Sequence, residues 1–292
     1  MKVSTVYINT CRRDFAFAKI CIASVRYWYP NMPICLIKDT GAGNFSTTIT
    51  EKKWNVKIFA CERKKFGWGY GKLEPLFLKD NHSFLVLDAD TVLTGPVLNN
   101  ADDVSSPFLV DKEIQPAKRF NEIYYNLERI SEIDNNFKYP GYSFNSGQWF
   151  GTAGIFSRRD FEVGITWTEP PNSKFPGVIL KGDQSILNFV LHKYEIEKKI
   201  TVQKKKIMVW PEGNAANFID LQKIRLKKED YPYIIHWAGM GKKKKSSLPR
   251  ADIIHFYKKF YLTRLNWFQR IGEKFNSFFS ALKALLNEAV KS

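Results

Sequence analysis

Apolar positions in the first half of the chain fall in short runs separated by longer stretches with helical spacing. Val3–Ile8, Ile34–Lys38 and Val56–Ala60 read as strands, and Phe84–Leu87 is a fourth, apolar at every position. Between them, a helix capped by Asp14 is expected to run through Tyr27, with Phe17, Ile20 and Ser24 near one face. Leu73–Leu78 is expected to be helical. Alternation of this kind predicts an α/β fold: a mostly parallel sheet flanked by helices.

The middle is less regular. Phe108–Val110 reads as a strand and Phe120–Leu127 as a helix. Asn135–Ser146, rich in Asn, Tyr, Gly and Pro, is expected to be a loop, and so is Glu169–Gly177 with its three prolines. Gln148–Phe156 returns to a strand-like pattern. Asp183 is expected to cap a helix to Leu191, and Tyr231–Trp237 to form a last buried strand. From Ile253 onward Tyr261, Leu265, Phe268, Phe275, Phe279, Leu282 and Leu286 recur at helical spacing, with Arg264, Arg270, Lys274 and Lys283 opposite. The expected division is a sheet domain over residues 1–250 and a basic amphipathic helical tail over 251–292.

Composition changes this picture in three ways. The net charge of +16 implies an anionic partner: nucleic acid, a membrane surface or a phosphate-bearing substrate. No nucleic-acid-binding motif is visible, so nucleic acid is not expected; the tail fits an anionic membrane surface better. The four cysteines, Cys11, Cys21, Cys35 and Cys61, make no close ligand pair, so a reducing compartment is the simplest reading. No stretch approaches the roughly 20 apolar residues of a membrane span, and Met1–Tyr7 lacks the pattern of a signal peptide. The expected location is cytoplasmic and peripherally membrane-associated.

The chemistry is concentrated where strands end. Asp88 and Asp90 close the Phe84–Leu87 run, at the strand end where α/β proteins bind ligands. Two carboxylates one residue apart suit a hard divalent cation completed by substrate phosphates. Phe144-Asn145-Ser146-Gly147 offers an amide for sugar hydroxyls and a glycine for close backbone approach. Gly182-Asp183-Gln184 opens a helix. The last strand ends in His236-Trp237-Ala238-Gly239-Met240-Gly241-Lys242, and an imidazole can complete a metal site built on two carboxylates. Each block alone is also ordinary turn, cap or core chemistry.

Together, and in this order, the blocks resemble the GT-A glycosyltransferases, in particular the family 8 group that includes glycogenin. Lys72-Leu73 lies sixteen residues before Asp88, like that family's Thr-Lys-Leu element, and the likeness spans Val3 to about Lys242. The resemblance implies a metal-dependent, retaining hexosyltransferase. Asp88, Asp90 and His236 would hold Mn²⁺ or Mg²⁺. Lys72, Gly239 and Lys242 would meet the diphosphate of a nucleotide sugar, expected to be UDP-linked. Asn145, Gly147, Asp183 and Gln184 would line the sugar, and the strand end at Thr10 would cradle the base. The acceptor would be a glycan, glycolipid or protein. Leu180 stands where glycogenin-like enzymes carry an acidic sugar-binding residue, which counts against glucose as the donor sugar. An alternative comes from Asp88-Ala89-Asp90-Thr91, which also resembles the haloacid-dehalogenase phosphatase motif, with Asp88 as nucleophile.

Overall fold

The computed structural model describes residues 1–67, 69–228, 232–240 and 247–273. In chain order it begins β1 (Val3–Cys11), α1 (Phe15–Trp28), β2 (Ile34–Asp39), α2 (Thr48–Trp54) and β3 (Val56–Ile58). A 3-10 helix (Tyr70–Phe77) leads into β4 (Ser83–Asp88), β5 (Thr91–Leu93), β6 (Phe108–Glu113), α3 (Ala117–Ile123) and β7 (Ser143–Thr152). Next come α4 (Arg158–Phe161), β8 (Ile165–Thr166), β9 (Asn172–Ser173), α5 (Asp183–Ile196), β10 (Val202–Lys205) and β11 (Met208–Val209). The described chain ends with α6 (Leu221–Leu226), β12 (Ile234–His236) and α7 (Ala251–Thr263).

Seven strands form the main sheet in the order β10-β6-β7-β4-β1-β2-β3. All pair in parallel except β7, which is antiparallel to both β4 and β6. A second sheet, β11-β12-β5, has β5 antiparallel to β12, pairing His236 with Thr91. The chain leaves β1 for β2 on one side, while β4 lies on the other. That reversal opens a crevice at the carboxyl ends of β1 and β4, where Asn9 lies beside Asp88.

Each central strand is buried on both faces, so it reads as an unbroken apolar run. Val6, Ile8, Leu85 and Leu87 enter one core, and Tyr7, Phe84 and Val86 the other. The expected strands and helices are recovered with some shifts. Phe120–Leu127 was expected as the helix, but α3 ends at Ile123 and begins at Ala117, directly after Pro116. The expected loop over Asn135–Ser146 gives way at Ser143, where β7 begins. Between Val110↔Trp149 and Lys112↔Phe144, β6 advances two residues while β7 advances five. The extra residues make a wide bulge at 145–148, and bulges re-aim side chains.

Helix α7 departs from the picture of a separate tail. Ile253, Ile254, Tyr257 and Tyr261 are buried in the core that holds Leu93 and Trp54. The Tyr257 hydroxyl donates to Leu93 O at 2.7 Å and accepts from Trp28 Nε1 at 3.0 Å. The Tyr261 ring stacks on Trp54 with centroids 5.1 Å apart. Residues 267–273 continue helically, with Trp267 and Phe268 exposed at 67% and 78%. Lys274, Phe275, Phe279, Leu282, Lys283 and Leu286 lie outside the described residues. No helix among the described residues is long and apolar enough to cross a membrane.

Ile254→Ala is expected to cost about 2–5 kcal/mol of stability in chemical denaturation, the usual range for emptying a buried isoleucine site. A loss under about 0.5 kcal/mol, the range of an exposed position, would mean that α7 is only loosely attached.

Candidate active site

A cleft of about 720 Å³ opens at the crevice between β1 and β4. Asp88 reaches it from the end of β4, Asp90 from the turn into β5, and His236 from the end of β12. One ligand atom from each of these three side chains lies within 4.8 Å of the others. His236 Nε2 is 3.2 Å from Asp90 Oδ1 and 3.8 Å from Asp88 Oδ2. Backbone bonds hold this geometry: Trp237 N donates to Asp90 O at 3.0 Å, and Thr91 Oγ1 donates to Asp88 O at 2.8 Å. Two oxygen donors and an imidazole form a set that could hold a divalent ion.

Lys72 is buried beside them. Its ammonium is 2.9 Å from Asp88 Oδ1 and 3.0 Å from Asp183 Oδ2, and 3.4 Å from Ser146 Oγ. Asp183 was expected to cap α5, but Gly182 holds the cap position and Asp183 is the first helical residue. Its carboxylate is spent on Lys72 instead. Gly69, at φ +84°, makes room for this pair: a Cβ there would overlap the Asp183 carboxylate and lie 3.1 Å from Lys72 Cε.

The bulge in β7 supplies the facing wall. Asn145 Oδ1 accepts from Gly147 N at 2.7 Å, and Gln184 Oε1 accepts from Ser146 N at 3.1 Å. Asn188, one turn beyond Gln184, accepts from Phe144 N at 3.0 Å and donates to Phe144 O at 3.0 Å. The bulge is thus pinned to the start of α5 by side-chain amides.

Charge in the cleft is unevenly balanced. Burial opposes the charge on Lys72, but Asp183 and then Asp88 outweigh it and hold its pKa above the usual lysine value. Burial likewise opposes the imidazolium of His236, yet Asp90 and then Asp88 raise its pKa above the ordinary value. Asp90 responds in kind: burial pushes its pKa up, but His236 pulls it below the usual carboxylate value. Asp183 lies above the usual value because of burial and the nearby Asp88, with Lys72 opposing. Asp14, also in the cleft, is raised by burial despite hydrogen bonds from Thr10 and Cys11.

Of the residues expected from sequence, Lys72, Asp88, Asp90, Asn145, Asp183, Gln184, His236 and Gly239 meet at the cleft. Thr10 does not. It is fully buried, and its hydroxyl donates to Asp14 Oδ1 at 2.7 Å. Its neighbour Asn9 faces the cleft, with an Oδ1 that has no partner among the described residues. Gly147 lies behind the cleft, where a Cβ would be 2.7 Å from His236 Nδ1. Lys242 lies outside the described residues. Sequence reasoning missed Asn9, Asp14 and Trp210, and a wall made by Glu113, Gln115 and Tyr124. The polarity of Asn9 at a strand end was the available signal; Trp210 offered none, because a tryptophan after an apolar strand reads as core. A second hollow, of about 750 Å³, lies between the 40–48 and 58–66 loops, but its lining holds a single carboxylate, Glu51.

No family model matches the sequence, and none of the curated proteins matches it. Solved structures do. The bifunctional glycosyltransferase WbbM, in its apo structure, is 13% identical with a TM-score of 0.57, over 88% of this chain and 49% of that one. The galactosyltransferase LgtC, in complex with donor and acceptor sugar analogues, is 13% identical with a TM-score of 0.56, over 89% and 95%. The glycosyltransferase GlyE of Streptococcus pneumoniae TIGR4 is 14% identical with a TM-score of 0.53, over 94% and 64%. The fold is GT-A. The chain spans about half the length of WbbM and nearly all of LgtC. The phosphatase alternative gains nothing from these neighbours.

Because the folded pKa of His236 is raised, its charged form stabilises the fold fully below its unfolded pKa of about 6.5. That contribution is lost as pH rises through the folded pKa. In chelator-treated protein, the melting temperature of the wild type minus that of His236→Gln is therefore expected to be larger near pH 6 than near pH 9. A difference independent of pH would show that the imidazole does not pair with Asp90 and Asp88.

Proposed function

We propose that the protein is a metal-dependent glycosyltransferase that moves a hexose-type sugar from a UDP-linked donor to a glycan, glycolipid or protein acceptor, with retention at the anomeric carbon. The observation that carries this reading is the meeting of Asp88, Asp90 and His236 beside the Lys72–Asp183 pair, in the crevice of a GT-A fold. The donor set fits Mn²⁺ or Mg²⁺, with Mn²⁺ favoured by the imidazole. Bound there, such an ion supplies positive charge for the leaving diphosphate.

The remaining work falls to the chain itself. Lys72, already charged and buried, offers its ammonium to the same diphosphate. Gly239, at φ +74° with open space where a Cβ would stand, lets the backbone come close to phosphate oxygens. Asn145 and Gln184 present amides that orient sugar hydroxyls, which they can both donate to and accept from. Asp183, next to them, steadies positive charge developing on the sugar ring. In a front-face displacement the bond from the anomeric carbon to the phosphate oxygen breaks, the acceptor oxygen takes its place on the same face, and the hydroxyl proton passes to the departing phosphate. Asn9, whose carbonyl oxygen is unpartnered, replaces Thr10 as the candidate contact to the base.

The C-terminal helical segment is proposed to face a membrane. Trp267 and Phe268 expose their rings at the end of a chain rich in Lys and Arg, which suits an anionic lipid surface and a cytoplasmic, peripherally bound enzyme. This association is expected to weaken as salt is raised in vesicle co-sedimentation with phosphatidylserine, and in the double variant Trp267→Ala/Phe268→Ala. Equal binding by the double variant at every salt concentration would remove the lipid role of this pair.

Ligands that bind only the folded state raise its melting temperature. UDP or a UDP-sugar is expected to raise it by several degrees in the presence of Mn²⁺, and not in Asp90→Asn. Product analysis by proton NMR then reads the anomeric configuration directly. The absence of any shift across uridine, guanosine, cytidine and thymidine nucleotides would overturn the transferase reading.

A further inference from the structure

A histidine that binds a metal is ordinarily oriented by a hydrogen bond from its other ring nitrogen, which sets the tautomer and the plane of the ring. His236 does not follow this pattern. Its Nε2 faces Asp90 and Asp88, while Nδ1 is buried with no hydrogen-bond partner among the described residues. The ring is instead held by shape. Gly147 closes one edge: a side chain there would overlap Cε1 and come within 2.7 Å of Nδ1. Trp210, directly after β11, covers a face of the ring, its centroid 5.6 Å from that of the imidazole and the planes 21° apart.

Trp210 is not an ordinary core tryptophan. It remains 37% exposed and lines the cleft, unlike the fully buried Trp54, Trp149 and Trp237. Its indole lies on the His236 imidazole instead of entering the core. An offset aromatic stack is a favoured geometry, and it becomes stronger when the covered ring carries positive charge.

We propose that Trp210 is a positioning residue for His236: its indole, with the bare backbone of Gly147, fixes the plane of the imidazole so that Nε2 points at the space shared with Asp88 and Asp90. This rests on the divalent-ion reading above. It adds that packing on a cleft-exposed aromatic, rather than a hydrogen bond to Nδ1, preorganises the ion site. Losing a group that orients a metal-binding residue typically weakens the metal by about 10–100-fold. Packing by one exposed ring belongs at the low end.

The test is Mn²⁺ affinity, measured by electron paramagnetic resonance of free Mn²⁺ on wild type, Trp210→Ala and Trp210→Phe, with the melting temperature of each metal-free protein. The expected result is about tenfold weaker Mn²⁺ binding in Trp210→Ala. The phenylalanine ring of Trp210→Phe should restore most of it, and the metal-free melting temperature should barely move because the residue is half-exposed. Paramagnetic Mn²⁺ should also quench part of the tryptophan fluorescence of the wild type, and that part should vanish in Trp210→Phe although the metal still binds. Wild-type affinity in Trp210→Ala would overturn the proposal, as would a defect confined to the KM of the sugar substrates, which would make Trp210 a substrate platform only. Absence of Mn²⁺ binding by the wild type would overturn the ion reading itself, and this inference with it.

Discussion

The buried ammonium of Lys72 is the interaction on which the rest of the site depends. A buried charge is tolerated only where it is paired and hydrogen-bonded. Lys72 finds both partners by joining three distant pieces of chain: its own 3-10 helix, the end of β4 through Asp88, and the start of α5 through Asp183. The geometry constrains its neighbours in turn. Gly69 must lack a side chain, and Asp183 must sit inside the helix rather than cap it. Five carboxylates, Asp14, Asp88, Asp90, Glu113 and Asp183, share the cleft with Lys72, Lys181 and Arg119. Burial, with a smaller contribution from the nearby Asp88, holds the carboxyls of Asp14 and Asp183 above the usual pKa.

The second constraint is the bulge at 145–148. An antiparallel strand of regular register would point alternate side chains into opposite cores. Spreading five residue steps of β7 against two of β6 frees Asn145 and Ser146 to turn towards the cleft and Gly147 towards His236. This is also why the sequence misleads there. A bulged strand breaks the period-two pattern on which strand reading relies, and Tyr-Ser-Phe-Asn-Ser-Gly has the composition of a loop.

Other features were legible in proportion to how local their cause was. The run before Asp88 announces a strand buried on both faces, and the two aspartates mark its end. The order of the Asp, Asn, Gly-Asp-Gln and His blocks was enough to expect the GT-A fold. At the end of β1 the residue that faces the cleft is Asn9, while Thr10 is buried, because successive residues of a strand face opposite sides. The apolar stripe from Ile253 correctly marked a helix, but helical spacing reports only that a face is apolar. It does not say what covers the face. For α7 the cover is α1 and the core around Leu93, joined by Tyr257. Trp210 was invisible for the converse reason, because nothing local marks a tryptophan that stays at the surface to hold another side chain.

Fold alone does not assign chemistry, since one architecture carries many activities. Identities of 13–14% with WbbM, LgtC and GlyE establish the architecture and no more. What adds to the architecture is the setting of Asp88, whose carboxylate lies 2.9 Å from the Lys72 ammonium. This pairing suits a ligand. The Asp88 carboxylate, anchored on one side by Lys72 and facing His236 Nε2 at 3.8 Å on the other, is held in place and still has lone pairs to offer. Asp90 Oδ1 lies 3.2 Å from the same Nε2. Both aspartates and the imidazole already converge on one space, so the proposed reading that uses them as ligands requires no change in the geometry they have.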